Sequence, residues 1–432
     1  MDMIVSPHPL AGSVAAMPSK SMAHRLLTLS ALCSGITDLN CADFSADIVA
    51  TLRCLQALGA PAMRTKDGLR MVPVTRGGVR KGALLDVGES GSTLRFLLPV
   101  ACALGRGATF VGQGRLAKRP LSPLAEQLEE HGVTLVDLGS FPLEVTGQLK
   151  PGTFFLPGSI SSQFVSGLLM AAPLMDGDTT VVVREPVESR SYIGLTIDAL
   201  ASFGVTVIEQ RAIVNDSPCR IYRVGASEQL VSPGACVVEG DWSNAAFWLA
   251  AGSFDHTPLC VTGLNLQSNQ GDRAIMAALS LMGARVGRSA GIAAVSRETP
   301  HAHNLDVSGI PDLVPPLAAV AATAPGTTRL SNAARLRLKE SDRLQSVSQA
   351  ITNMGGKACI EGDDLLIEGV DHLSGGVVDA CNDHRIAMMA AVCAAYATEP
   401  TTICGAQCVS KSYSGFFDDF RALGGIAYPH KE

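Results

Sequence analysis

The densest run of chemistry-bearing residues in this chain is Lys339-Glu340-Ser341-Asp342-Arg343. Lys339 and Arg343 stand four positions apart, so a helix beginning here would turn both toward one face. Arginine suits two-pronged recognition of a carboxylate or phosphate, whereas lysine supplies a point charge and can pass a proton when its pKa is lowered. Taken alone, the run reads more simply as a solvated cluster of local ion pairs. It is not alone. Pro18-Ser19-Lys20-Ser21 has Arg25 about one helical turn beyond, and Gly114-Arg115-Leu116-Ala117-Lys118-Arg119-Pro120 sets three cations beside a glycine. Cys408-Val409-Ser410-Lys411-Ser412 places another lysine between hydroxyls. Each of these also fits a surface turn. The histidines do not fall in HExxH spacing, no GxxxxGK[ST] loop is present, and no nucleophile stands with a paired base. These gaps disfavour a zinc protease, a P-loop ATPase and a covalent hydrolase.

The elements that must position these residues recur six times. Helix openings are read at Lys20, Gly91, Ser162, Ser243, Asp312 and His384, at intervals of 69 to 81 residues. Helix ends are read at Gly59, Gly132, Gly204, Gly283, Gly355 and Gly424, at intervals of 69 to 79 residues. Four positions before each of these glycines stands Leu55, Leu128, Leu200, Leu279, Ile351 or Phe420, one turn back on the face that packs inward. The two series keep step, so the fold is α/β, built from six βαβαββ repeats. Ser, Thr, Asp and Asn at helix starts have an ordinary explanation as caps. Starts bearing Lys, Arg and Gly also leave positive helix ends that can meet an anion. Bodies such as Phe164–Met170 and Ile386–Ala390 are apolar around nearly the whole helix, which predicts burial on most sides; each unit then has one buried and one more exposed helix. Leu69–Val74 and Leu365–Glu368 read as strands. Leu336 and Leu338 suggest a strand end before a helix carrying Leu344, Val347, Ile351 and Met354.

Apolar content of 47% and charged content of 17% over 432 residues describe a soluble globular chain of two or three domains. A net charge of −6 argues against a protein that coats nucleic acid. No apolar run reaches the ~18 residues of a membrane span, and Met388–Ala395 is a core helix at most. The opening Met1–Pro7 lacks the blocks of a secretion signal, and twelve cysteines are scattered without CxxC spacing. A reduced, cytoplasmic setting is expected, with no metal.

Lys20-Ser21, Glu89–Arg95, Arg119-Pro120, Ser161-Ser162-Gln163, Asp312, Lys339–Arg343, Asp383-His384-Arg385 and Lys411, taken in order, resemble the enolpyruvyl transferase family. The resemblance runs over nearly the whole chain and is closest to the branch acting on shikimate 3-phosphate. It implies a two-globe, inside-out α/β barrel-like architecture with three βαβαββ units per globe. Residues 19–238 would form the first globe, and 1–18 with 239–432 the second. The implied reaction moves the enolpyruvyl group of phosphoenolpyruvate onto the 5-hydroxyl of shikimate 3-phosphate and releases phosphate. Two anions must then be brought together, with cations drawn from both globes offsetting their repulsion.

Roles implied by the resemblance are as follows. Shikimate 3-phosphate would meet Lys20, Ser21, Arg25, Ser161, Ser162, Gln163, Ser189, Tyr192, Asp312, Arg335 and Lys339. Phosphoenolpyruvate would meet Lys20, Gly91, Arg119, Gln163, Arg343, Arg385 and Lys411. Asp312 would take the hydroxyl proton, and Glu340, assisted by Lys20, would serve the methylene carbon. No cofactor is implied, and the expected form is a monomer without nucleic-acid or membrane partners. Gly91 leaves room where a larger residue obstructs glyphosate in tolerant relatives, so inhibition by glyphosate is expected. Glu89 stands where many relatives have Asn, Arg335 where an Asn often contacts the shikimate phosphate, and Ser92 where Thr is common. The alternative is the branch acting on UDP-N-acetylglucosamine, which shows Lys-Asn in place of Lys20-Ser21 and a reactive Cys in the loop matching Gly112–Arg119; that loop has none here. Cys102 falls in an apolar helix instead and reads as core. Related units also occur in RNA-terminal phosphate cyclases, against which the acidic balance and the lack of a basic, aromatic strand face weigh.

Overall fold

A computed structural model describes residues 1–430 of the protein. Among the described residues are six four-stranded sheets. Each has one pattern: a first strand runs parallel to a second, the second pairs antiparallel with a third, and the third antiparallel with a fourth. The sheet of Gly152–Pro157, Thr179–Arg184, Ser217–Val224 and Ile208–Val214 shows it within one continuous stretch. The parallel pair requires a crossover, and the Ser162–Ala171 helix supplies it. Each repeat therefore spends two helices and four strands on a single small sheet.

Three sheets borrow a strand from elsewhere in the chain. Ala235–Val237 pairs with Thr37–Asn40, Gly12–Ala15 pairs with Leu259–Thr262, and Met3–Ser6 lies between Thr401–Cys404 and Ile426–Pro429. The chain divides into two compact units, Lys20–Val238, and Met1–Ser19 with Glu239–Glu432. Each has its own apolar core.

In the second of these units the helices Trp242–Gly252, Val314–Ala321 and His384–Ala395 pack on one another and are buried along their whole length. In the Lys20–Val238 unit the Gly91–Leu104 helix takes the equivalent place, against Lys20–Leu32 and Ser162–Ala171. The last contact is close because Gly167 has no side chain: a Cβ there would stand 2.4 Å from the Arg95 carbonyl oxygen. The six helix-ending glycines all adopt the left-handed conformation, with φ from 80° at Gly204 to 113° at Gly59. That is the conformation in which a helix end closes without a Cβ penalty. The residues four positions before them are at most 1% exposed. Burying a side chain of this kind stabilises by roughly 1.5–3 kcal/mol.

Two local expectations need correction. The segment from Ala334 to Leu338 is a 3-10 helix, not a strand end; Leu336 is buried but Leu338 is half exposed, so no sheet face is formed. The strand expected over Leu69–Val74 stops at Met71, since Pro73 has no N–H to give to a ladder.

Candidate active site

In the Lys20–Val238 unit most of the expected residues come from helix starts, while Arg119 closes the Leu116–Lys118 turn and Arg25 lies inside the Lys20–Leu32 helix. Lys20 opens the Lys20–Leu32 helix, and its Nζ donates to Asp47 Oδ2 at 3.1 Å. Gly91 opens the next central helix, which Ser90 caps by accepting from the Thr93 N–H at 3.2 Å. A Cβ on Gly91 would stand 2.6 Å from both Arg119 Nη1 and Arg95 Nη1, so two guanidinium groups converge on this glycine. Arg95 also donates toward the Gln163 side chain at 3.5 Å and to the Pro120 carbonyl at 3.2 Å. Gln163 in turn donates to Ser92 Oγ at 2.9 Å. Gly91, Ser92, Arg119 and Gln163 are thus brought together, with Arg95 as their hub. The sequence reading includes Arg95 only as the end of the Glu89–Arg95 motif and gives it no role. The available signal was its place one turn past Gly91, the same relation that Arg25 has to Ser21.

Arg25 is 1% exposed, and its donors run into the protein. They reach Thr196 Oγ1 at 2.7 Å, the Tyr192 carbonyl at 2.8 Å and the Ser21 carbonyl at 2.5 Å, with the guanidinium over the Phe96 ring. Burial pulls its pKa down to about 10, against the opposing pull of Tyr192. Arg25 therefore ties Ser21 to the start of the Arg190–Ser202 helix, where Ser189 sits at φ 52°. A non-glycine residue held at positive φ stores strain, which is common at ligand sites. Ser161 caps the Ser162–Ala171 helix by accepting from the Gln163 N–H, and Ser162 is buried beside it. Glu89 lies against the cation-rich loop at Gly114.

In the other unit the charges gather on Asp312. It sits in the Pro311–Leu313 turn that leads into the Val314–Ala321 helix. Its Oδ1 accepts from Arg343 Nη1 at 2.7 Å and Lys339 Nζ at 3.2 Å, with Arg385 Nε at 3.5 Å. Burial pushes its pKa up, but Arg385, Lys339 and Arg343 outweigh that and hold it well below the usual carboxylate range. Lys339 feels the converse: burial lowers its pKa, and Asp312 recovers only part of the loss.

Arg343 is not solvated; it is 1% exposed. It opens the Arg343–Asn353 helix and donates to Asp383 at 2.9 Å through Nε and 3.2 Å through Nη2. It also donates to Glu340 at 2.5 Å and to Asp312. Asp383 is fully buried, caps the His384–Ala395 helix at the Arg385 N–H, and accepts from Ser341 Oγ at 3.0 Å. Lys411 reaches the Asn382 carbonyl at 2.8 Å, and Arg335 lies close enough to lower the Lys339 pKa. Lys339, Arg343 and Arg385 therefore meet on Asp312, with Glu340 joined through Arg343; Arg385 is brought in from the next repeat, and the others come from the repeat of Asp312 itself.

Asp272 escaped the sequence reading, because a single Asp ahead of an apolar helix looks like a cap. It is 1% exposed and accepts from Ser243 Oγ. Burial and then Asp312 raise its pKa from 3.8 to about 6, with Arg385 pulling the other way. The folded form therefore holds a proton that the unfolded chain has released between pH 3.8 and about 6, so this group's contribution to stability falls as pH rises through that window and is level above it. Asp272→Asn is expected to gain on the wild type by roughly 2–3 kcal/mol between the bottom and top of the window. Denaturant midpoints of both proteins across that range measure it; a difference that does not change with pH would refute it.

A family model described as EPSP synthase (3-phosphoshikimate 1-carboxyvinyltransferase) matches residues 4–420. The chain is 40% identical over 422 residues to the 3-phosphoshikimate 1-carboxyvinyltransferase of Clostridium kluyveri, covering 98% of this chain and 97% of that one. It is 38% identical over 432 residues to the protein of the same name from Clostridium acetobutylicum, with the same coverage. Among solved structures, EPSP synthase from Acinetobacter baumannii superposes with a TM-score of 0.80 at 25% identity, covering 99% of this chain and all of that one.

Proposed function

The chain belongs to the EPSP synthase family, and from that membership we infer that it transfers the enolpyruvyl group of phosphoenolpyruvate to the 5-hydroxyl of shikimate 3-phosphate, releasing phosphate. The activity rests on the match over residues 4–420. The acid–base roles rest on one observation, a carboxylate held ionised among three cations at the start of a buried helix.

In this reading Asp312 takes the proton of the 5-hydroxyl as the oxygen bonds to C2 of phosphoenolpyruvate. A proton delivered to C3 turns the methylene into a methyl group, giving a tetrahedral ketal phosphate. Loss of a methyl proton then re-forms the double bond as the C2–O bond to phosphate breaks. Glu340 and Lys20 serve the carbon proton. Arg119, Arg385, Lys411 and the helix start at Gly91 offset the charge of phosphoenolpyruvate, with Gln163 and Arg343 beside them. Ser161, Ser162 and Ser189 hold the shikimate phosphate; Ser21, Arg25, Tyr192, Arg335 and Lys339 surround the rest. Arg343 and Arg25 act mainly by orienting their neighbours, because most of their donors are already bonded within the protein. Among the described residues no helix is long and apolar enough to cross a membrane. The working form in this reading is a cytoplasmic monomer.

Transfer to UDP-N-acetylglucosamine is not favoured. Phosphate release with phosphoenolpyruvate plus either acceptor tests the choice. Release is expected with shikimate 3-phosphate, and release with the sugar nucleotide alone would overturn the assignment.

A further inference from the structure

Behind Lys20 and Gly91 a line of buried hydroxyls leads from a histidine to a helix cap. His24 lies one turn past Lys20 on the same helix, and its Nδ1 is 2.7 Å from Thr51 Oγ1. Thr51 Oγ1 is 2.7 Å from Thr93 Oγ1, whose hydroxyl donates to Ser90 Oγ at 2.7 Å. Ser90 is the cap of the helix that Gly91 opens. His24, Thr51, Thr93 and Ser90 are each at most 1% exposed. A second link joins the same three helices, because Asp47 binds Lys20 through its carboxylate and lies 3.4 Å from Thr93 Oγ1 through its carbonyl.

Apolar side chains of the same volume would fill this space without any polar group to satisfy. Valine matches threonine in shape, and burial of apolar surface is non-directional. Hydrogen bonds between buried groups instead fix direction, and each becomes costly once its partner is removed. His24 supports this view. Its Nε2 is buried without a hydrogen-bond partner, a cost accepted to keep Nδ1 on Thr51. Burial, then Lys20 and Arg25, keep the ring neutral, with its pKa well below the usual histidine value.

We propose that the His24–Thr51–Thr93–Ser90 chain is a positioning device for phosphoenolpyruvate, holding the helix start at Gly91 in register with Lys20. It touches neither substrate, and it rests on the reading that Gly91 and Lys20 hold phosphoenolpyruvate. Shikimate 3-phosphate shares the Lys20 helix start, but its phosphate is assigned to Ser161, Ser162 and Ser189 on helix starts that this chain of hydroxyls does not touch, so its KM should respond less than that for phosphoenolpyruvate.

Thr51→Val removes the middle hydroxyl. It is expected to raise KM for phosphoenolpyruvate about tenfold, the worth of one broken buried hydrogen bond, with KM for shikimate 3-phosphate within about threefold. Thr51→Ser keeps the hydroxyl and should return the first KM to within about twofold of wild type. His24→Asn keeps a donor at the δ position and should resemble the wild type, whereas His24→Leu should resemble Thr51→Val. Gly91→Ala serves as the separate check on the site reading. If it leaves KM for phosphoenolpyruvate unchanged, the assignment of Gly91 falls. If it raises that KM while Thr51→Val and His24→Leu do not, the positioning chain falls. Equal rises in both KM values, or failure of both Thr51→Val and His24→Leu to fold, would make the chain a structural support only and overturn the proposal.

Discussion

Replacing Asp312 by Asn is expected to lower kcat by about 10²–10⁴, the range lost when a positioned general base is removed. The side chain keeps its shape but can no longer accept the hydroxyl proton. Its pKa is held low, so the wild-type group is ionised at neutral pH and ready to accept a proton throughout the working range. In the proposed role a base held so low is intrinsically weak, so the reaction would need Lys339 and Arg385, which pair with it, to stabilise the developing oxygen anion as well. Affinity for shikimate 3-phosphate should change far less than kcat, because the serines assigned to its phosphate lie in the other compact unit. Steady-state kinetics and equilibrium binding of shikimate 3-phosphate separate the two quantities. A kcat within about threefold of wild type would remove Asp312 from the chemistry.

Arg343→Met should be the most destabilising single change among the site residues, by about 3–5 kcal/mol. Arg343 pairs with Asp383, Glu340 and Asp312, and Asp383 is fully buried. Removing the cation leaves a buried carboxylate without its counter-charge. Methionine roughly preserves volume, so loss of packing contributes little. Arg343→Lys should fall between the two, since one ammonium cannot reproduce the planar fork that reaches three carboxylates. Urea unfolding of the unit containing Arg343 gives the measurement. A midpoint equal to wild type for Arg343→Met would contradict the network described here.

The repeat was legible in the sequence because its signals are short-range. A left-handed glycine after a helix, with an apolar residue one turn earlier, depends on backbone sterics over five residues. All six glycines take that conformation and all six partners are buried. A helix apolar around nearly its whole surface, such as Ile386–Ala390 within His384–Ala395, is buried along its whole length. The run Leu336-Arg337-Leu338 misled because alternation over three residues fits a turn of 3-10 helix as well as a strand. Lys339, Arg343 and Asp312 were recognisable as chemistry, yet their partnership was not.

Residue order by itself determined the six-fold repeat, the buried helices and the kinds of charge offered at their starts. Tertiary structure decided which charges meet. Asp312 and Arg385 lie 73 positions apart yet share a hydrogen bond, and Met3–Ser6 pairs with strands near the far end of the chain. It also made Arg343 a hub for three carboxylates, Arg25 a brace and Asp272 a buried acid. The physical reason is range. Local conformation follows from neighbours along the chain, whereas pairing and desolvation of charge depend on which distant segments exclude water together.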